Sequence, residues 1–192
     1  MKRQIRNGVF ETNSSSIHSI AIPRECEPAK YVSFHIGEFG WEWDEADAAD
    51  YLYTAIYLNS ETESDAKEKI ERLKDILNKH GIDYHFGKAK TSTHKYGDED
   101  YFYLDNGYID HGRELSGFVE ELLNDEDKLV RFISGGLVFT GNDNCAREED
   151  GFVERNQEYL DHYDWRTKKR TYIKNEYYMS DHEDYEWYEK GN

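Results

Sequence analysis

The chain has 192 residues, 41 acidic against 24 basic, and a formal net charge of −17 at pH 7. Because Lys and Arg supply most contacts to nucleic-acid phosphates, this balance argues against direct DNA or RNA binding as the main activity and favours basic partners. The 16 tyrosines, nine phenylalanines and four tryptophans argue against disorder, and the lack of a long apolar run or a signal peptide predicts a soluble cytoplasmic protein without a membrane span.

Strand and turn signals open the chain. A strand is predicted at Lys2–Glu11, a polar turn at Thr12–Ser16, and a second strand at Ile17–Ile22, which ends before Pro23. In Tyr31–Ile36 apolar residues occupy every second position, which is typical of a half-buried strand.

Helix signals follow. Asp44 is predicted to cap a helix at Glu45–Leu58. Thr62–His80 has helical apolar spacing, acidic residues at its start and Gly81 after its end, so it predicts a second helix. Ile82–Phe86 then predicts a strand.

The middle of the chain combines a loop with a hairpin signal. Lys88–Asp100 is expected to be a polar, mobile loop. Asn106-Gly107, between Tyr101–Leu104 and Tyr108–Ile109, predicts a β-hairpin, because these two residues accept the positive φ angles of a type I′ turn. Two short helices and a strand are predicted next, at Glu114–Leu123, Glu126–Ile133 and Gly136–Thr140.

Strands precede, separate and follow the helices without a regular alternation, so we expect an α+β fold with an antiparallel or mixed sheet and about three to four helices. Residues 1–145 are expected to form one domain, with 146–192 as an extension packed on or beside it. The extension contains a basic stretch, followed by an acidic and aromatic segment at Glu176–Glu189. The basic residues are Arg166, Lys168, Lys169, Arg170 and Lys174.

A Ser-rich loop is the most unusual local feature. Asn13, Ser14, Ser15 and Ser16 offer one amide and three hydroxyls two residues before His18. Such donors can bind a phosphate, and His18 could act as a general base on a serine. A cluster of this kind between strands also forms turns that satisfy their own backbone, and that structural interpretation stays open.

Two further polar segments are candidates. An Asp beside a His, as in Asp110-His111, can orient the imidazole or ligate a metal, but adjacent strand residues point to opposite faces, so the two are not expected to act together on one site. Asn142, Asp143 and Asn144 end the last clear strand, where ligand-binding groups and simple turns are both common.

No cofactor is expected. The sequence contains no P-loop, no dinucleotide-binding glycine pattern, no nucleophile elbow and no histidine pair at metal-ligand spacing. Cys26 and Cys145 lie far apart and are interpreted as unpaired thiols.

The segment Gly8–Ser19, GVFETNSSSIHS, resembles the N-terminal signature of a group of uncharacterised proteins from bacteriophages and Firmicute mobile elements. Tyr108–His111 and Thr140–Asn144 are similar to further segments of that group, although Gly112-Arg113 departs from its pattern. The resemblance transfers no catalytic role. It implies a phage or mobile-element setting, in which small acidic proteins often antagonise host defence, anti-CRISPR proteins among them.

These observations favour a non-enzymatic antagonist of a basic, nucleic-acid-handling host protein, with a CRISPR effector as a candidate partner. The alternative is a small transferase or hydrolase that acts on a phosphorylated or nucleotide substrate through the Ser-rich loop and His18. The residues predicted to contact the partner are Asp181, Glu183, Asp184, Tyr185, Glu186 and Trp187.

Overall fold

The fold is taken from a computed structural model, which describes residues 16–40, 44–110, 112–142, 159–174 and 184–190. Strands and helices are mixed along the chain, and the α+β prediction is confirmed. The strands are β1 (Ser16–Pro23), β2 (Tyr31–Phe34), β3 (Glu38–Phe39), β4 (Asp44–Asp47), β5 (Asp83–Phe86), β6 (Thr91–Tyr96), β7 (Glu99–Leu104), β8 (Tyr108–Ile109), β9 (Leu137–Asn142), β10 (Tyr159–Asp164), β11 (Lys169–Lys174) and β12 (Tyr185–Lys190). The helices are α1 (Ala48–Leu58), α2 (Glu63–Lys79), α3 (Ser116–Asn124) and α4 (Glu126–Gly135), with a 3-10 turn at Gly112–Leu115 before α3.

A four-stranded antiparallel sheet in the order β12-β1-β9-β4 forms the centre of the fold. Its middle strand β1 carries Ile20, Ala21 and Ile22, all of which are buried. Such apolar content suits a strand with neighbours on both edges and a helical layer on one face. The strand predictions at Ile17–Ile22 and Gly136–Thr140 are confirmed by β1 and β9.

Local signals explain α2 and α4. Thr62 caps α2 by accepting a hydrogen bond from the backbone N–H of Asp65 at 3.1 Å, and Asp125 caps α4 through the N–H of Lys128 at 3.0 Å. The apolar stripe of α2 is buried as predicted. It consists of Ala66, Ile70, Leu73, Ile76 and Leu77.

The start of α1 differs from the prediction. Asp44 begins the edge strand β4, which pairs with β9, so Asp44 does not cap the helix. The cap is Asp47, whose carboxylate accepts from the N–H groups of Ala49 and Asp50 at 2.9 and 3.0 Å. Pairing with β9 therefore places in a strand the residues that helix propensity alone would assign to the start of α1.

The predicted Asn106-Gly107 hairpin is wrong. β7 pairs with β6 across Gly97-Asp98, inside the predicted loop, and Gly97 has a φ of 64° at the first central turn position. Asn106 instead closes the base of this hairpin, with its side chain bonded to Lys90 N at 2.7 Å and Lys88 O at 3.1 Å. Gly107 is needed because a Cβ there would overlap the side chain of Ile36.

The far end of the chain returns to the central sheet. β12 pairs with β1, with Ala21 opposite Trp187 and Ile22 opposite Glu186. β10 and β11 form a separate two-stranded antiparallel ribbon. The predicted strand at Lys2–Glu11 lies outside the described residues. Within the described ranges, no helix is long and apolar enough to cross a membrane.

Candidate functional site

His18 occupies a fully buried position on β1. Its Nδ1 atom shares a hydrogen bond of 2.7 Å with the phenol oxygen of Tyr51 on α1, and the two ring centroids lie 5.7 Å apart. Phe39 packs edge-on against Tyr51 at 5.4 Å. Burial raises the pKa of Tyr51 well above its ordinary value, so the phenol stays neutral beside the imidazole.

Gly40 lies close to both His18 and Asp110. A Cβ built on Gly40 would lie 2.8 Å from Asp110 Cβ and 3.2 Å from His18 Nε2. The φ of Gly40 is +105°, which only glycine adopts readily. The parallel pairing of β3 with β8 fixes this approach, because the N–H of Asp110 donates to Phe39 O at 2.9 Å. The phenol of Tyr108 donates to Asp110 Oδ1 at 2.6 Å.

The register of β1 and β9 brings the third candidate segment to the same place. Ser16 lies opposite Asn142, and His18 lies opposite Thr140, which is also buried. Three segments that are distant in sequence, the end of the Ser-rich loop, Asp110 and the end of β9, therefore converge. Asn13, Ser14, Ser15, His111, Asp143 and Asn144 lie outside the described residues.

Burial limits the chemistry that this cluster can perform as it stands. His18 is 0% exposed, so it does not face solvent as an accessible base would. The described residues also contain no group of three or more His, Cys, Asp or Glu side chains arranged to hold a metal ion. What the geometry provides is a buried imidazole and phenol pair close to Gly40, which also lies close to Asp110.

A surface groove of about 480 Å³ lies elsewhere, where the start of α1 meets β2 and the end of α4. Its lining includes Tyr31, His35 and Asp50. Asp50 Oδ1 accepts from the backbone N–H of His35 at 2.6 Å and lies 3.2 Å from Nδ1 of the same residue. Sequence reasoning missed this groove because no motif marks it.

Part of the predicted acidic segment forms contacts within the protein itself. Glu186 forms ion pairs with Lys128 at 3.3 Å and Arg131 at 3.5 Å. Asp184 is exposed, and its carbonyl accepts from the N–H of Arg24 at 2.8 Å. Asp181 and Glu183 lie outside the described residues, while Tyr185 and Trp187 occupy register positions opposite Pro23 and Ala21.

An acidic and aromatic surface is instead found on the ribbon formed by β6 and β7. Tyr96 and Tyr101 pack edge-to-face at 5.5 Å, and His94 and Tyr103 do so at 5.3 Å. These residues alternate with Phe102 and Leu104, which are buried on the opposite face. Glu99 lies opposite Tyr96 on this face and is exposed, as is Asp98 in the turn, whereas Asp100 lies opposite Lys95 on the other face.

The alternation of Thr91–Tyr96 and Glu99–Leu104 around Gly97 could have predicted this ribbon. We name its outer surface the acidic ribbon face, defined by His94, Tyr96, Glu99, Tyr101 and Tyr103 with the turn residue Asp98. The phenol of Tyr101 donates to Glu99 Oε2 at 2.8 Å, so ring and carboxylate are held together.

The chain was compared with protein-family models, with curated proteins and with solved structures, and none of them matches it. Functional inference therefore depends on the α+β fold and on the residue positions described above.

Proposed function

We propose that this chain is a binding protein of the host-cell cytoplasm that antagonises a basic, nucleic-acid-handling protein, with a CRISPR effector as the specific candidate. The observation that supports the proposal best is the acidic ribbon face. Tyr96 is 58% exposed there, opposite the exposed Glu99 and close in sequence to the exposed turn residue Asp98. Exposed tyrosines flanked by acids are suited to arginine, because a guanidinium stacks on the ring and pairs with the carboxylate.

Charge and rings have separate roles in this proposal. The net charge of −17 would accelerate encounter with a Lys- and Arg-lined channel, and its effect would weaken with salt. The tyrosine pairs would hold the complex, because interface energy is concentrated in a few buried aromatic and arginine contacts. The ribbon thus replaces the end of the chain as the first place to test, since Glu186 is engaged by Lys128 and Arg131.

The test is affinity capture from a host-like bacterial lysate at low and high salt, with mass spectrometry of the retained proteins. One variant combines Asp98→Asn, Glu99→Gln and Asp100→Asn, and a second combines Tyr96→Ala with Tyr101→Ala. A charge-matched control at and along α2 combines Glu61→Gln, Glu68→Gln and Asp75→Asn, all at exposed positions.

The proposal expects one basic nucleic-acid-handling protein to be retained by the unmodified chain and by the control, and to be absent with both ribbon variants. Purified, that protein should lose its nucleic-acid activity when the unmodified chain is added. Retention of no such protein, or an equal reduction in the α2 control, would contradict a role for the ribbon.

The convergence of Ser16, His18, Asp110 and Asn142 favours a second candidate, a small transferase or hydrolase acting on a phosphorylated or nucleotide substrate. Such an enzyme would bind the phosphate with the Ser-rich loop, and a conformational opening would expose His18. A nucleotide that binds only the folded state raises the thermal midpoint. This candidate expects a shift with at least one nucleotide in a thermal-unfolding panel and a smaller shift in Ser15→Ala; no shift with any nucleotide would contradict it.

A further inference from the structure

The ribbon formed by β10 and β11 has a charge opposite to that of the rest of the chain. Residues 159–174 contain two acidic side chains, Asp161 and Asp164, in a protein with a net charge of −17. The same residues contain five basic side chains, all of them exposed. They are Arg166, Lys168, Lys169, Arg170 and Lys174.

Large aromatic rings on the same ribbon are also exposed. Tyr159 is 52% exposed, Trp165 66% and Tyr172 73%, although large rings usually bury most of their surface. The register places Tyr159 opposite Lys174, Asp161 opposite Tyr172 and Tyr163 opposite Arg170. Because directly opposite residues share a face of an antiparallel pair, three rings and two basic residues share one face with Asp161, and Lys169 lies on the other face.

The turn between the strands is held in one conformation. Asp164 Oδ1 accepts from the N–H groups of Arg166 and Thr167 at 2.8 and 3.3 Å, and its Oδ2 accepts from the hydroxyl of Thr167 at 2.6 Å. The ring of Tyr163 meets that of Trp165 edge-on at 4.7 Å, and Lys168 Nζ lies 5.2 Å from the Trp165 ring centroid. Trp165 is thus positioned before any ligand arrives, which lowers the entropic cost of binding.

We propose that this ribbon binds single-stranded nucleic acid, with its rings stacked on bases and its basic side chains on phosphates. Exposed rings interleaved with Lys and Arg are the combination that unpaired strands require, since every base has a face that can stack. An acidic protein surface, as the alternative ligand, would pair with the basic side chains but would leave the exposed rings without a specific role. Six-residue strands span about 20 Å, so the contact is limited to a few nucleotides.

The net negative charge of the chain limits the length of the strand that this site can bind. Carboxylates elsewhere on the molecule repel a long strand, and their effect beyond about 8 Å is screened at physiological salt. A short oligonucleotide is therefore the suitable ligand, and binding should be strongest at intermediate rather than at very low ionic strength. This inference does not depend on the proposed antagonist function, because it concerns a different surface.

The test is fluorescence anisotropy of the full chain with fluorescein-labelled oligo(dT) and oligo(U) of about 12 nucleotides, over a series of salt concentrations. Trp165→Ala and Tyr172→Ala remove one ring each, and Arg170→Gln with Lys174→Gln removes two charges from the face that carries Tyr172. The matched controls are Tyr96→Ala on the acidic ribbon face and Lys67→Gln with Lys74→Gln on α2. Thermal unfolding of every variant checks the fold.

Removal of a stacking ring should weaken binding about 5- to 150-fold, as expected for about 1–3 kcal/mol per base. The double charge variant should bind more weakly, and its salt slope should fall by about 0.7 for each phosphate that is no longer neutralised. The controls should bind as the unmodified chain does. A preference for dT or U would distinguish DNA from RNA as the ligand.

Three results would overturn the proposal. These are no anisotropy change with either probe at any salt concentration, equal reductions in the controls, and binding that persists unchanged in both Trp165→Ala and Tyr172→Ala. A poly-glutamate peptide tests for an acidic protein ligand. If it displaces the probes, and if both ring variants bind it as the unmodified chain does, the ribbon is a binding surface for acidic proteins instead.

Discussion

The imidazole of His18 and the phenol of Tyr51, 2.7 Å apart, form a buried hydrogen bond between the central strand β1 and helix α1. Both side chains are fully buried. This hydrogen bond joins the central sheet to α1 close to Gly40 and Asp110.

Tyr51→Phe should therefore destabilise the protein by about 1–3 kcal/mol, since it removes the phenol oxygen from the buried His18 Nδ1 and replaces it with nothing. Urea denaturation at neutral pH measures the change in the free energy of unfolding. Tyr96→Phe is the control, because Tyr96 is 58% exposed and should change little. Equal effects of the two substitutions would show that the buried bond contributes no more than a surface phenol.

Alkaline pH should destabilise the protein through its buried phenols. Burial raises the pKa of both Tyr51 and Tyr53 above the ordinary 10.0, while the unfolded chain ionises near that value. Stability is therefore complete below about pH 10 and falls as the pH rises further, because only the unfolded state releases these protons. Urea midpoints measured on either side of pH 10 check this, and Tyr51→Phe should show a shallower decline.

Gly40→Ala should be among the most damaging single substitutions in the described part of the chain. It combines a positive φ, which costs an L-residue about 1–2 kcal/mol, with overlap of the new Cβ and Asp110. We expect destabilisation by about 3 kcal/mol or more. Gly97→Ala is the matched control, because its φ is +64° and no atom lies within 4 Å of a Cβ there. Thermal and urea unfolding of the two variants separate backbone strain from overlap; equal destabilisation would show that the overlap with Asp110 costs nothing.

The ion pairs of Lys128 should stabilise the attachment of β12. Burial lowers the pKa of this lysine, but the carboxylates of Glu121 and Glu186 outweigh burial and leave the pKa raised. Glu186→Gln removes one of them and should cost about 1 kcal/mol, because Glu121 remains at 2.7 Å. Lys67→Gln breaks an exposed pair with Glu63 and should change little. Proteolysis near β12 should increase only in Glu186→Gln.

The elements that could be predicted from sequence are those specified by their own residues. The α2 helix has its cap, its apolar stripe and its glycine stop within Thr62–Gly81, and it forms as expected. β1 and β9 are likewise marked by local apolar runs.

The sequence did not reveal which distant segments of the chain contact one another. Asn106-Gly107 has the composition of a tight turn, but its glycine serves the close approach of Ile36 and its asparagine ties Lys88 to Lys90. Likewise, His18 belongs to a loop signature in the sequence, while its side chain is buried against a tyrosine 33 positions later. Both outcomes depend on contacts between distant segments.

The place of β1 between β9 and β12 has a consequence for how the chain reaches its fold. This strand is synthesised before both of its neighbours, which come from far along the sequence, so the central sheet requires closure of very long loops. Such non-local pairing slows folding. During synthesis, Ile20, Ala21 and Ile22 have no sheet neighbours until β9 and then β12 have left the ribosome. Until that pairing is complete, the apolar strand is exposed to the contacts that lead to aggregation.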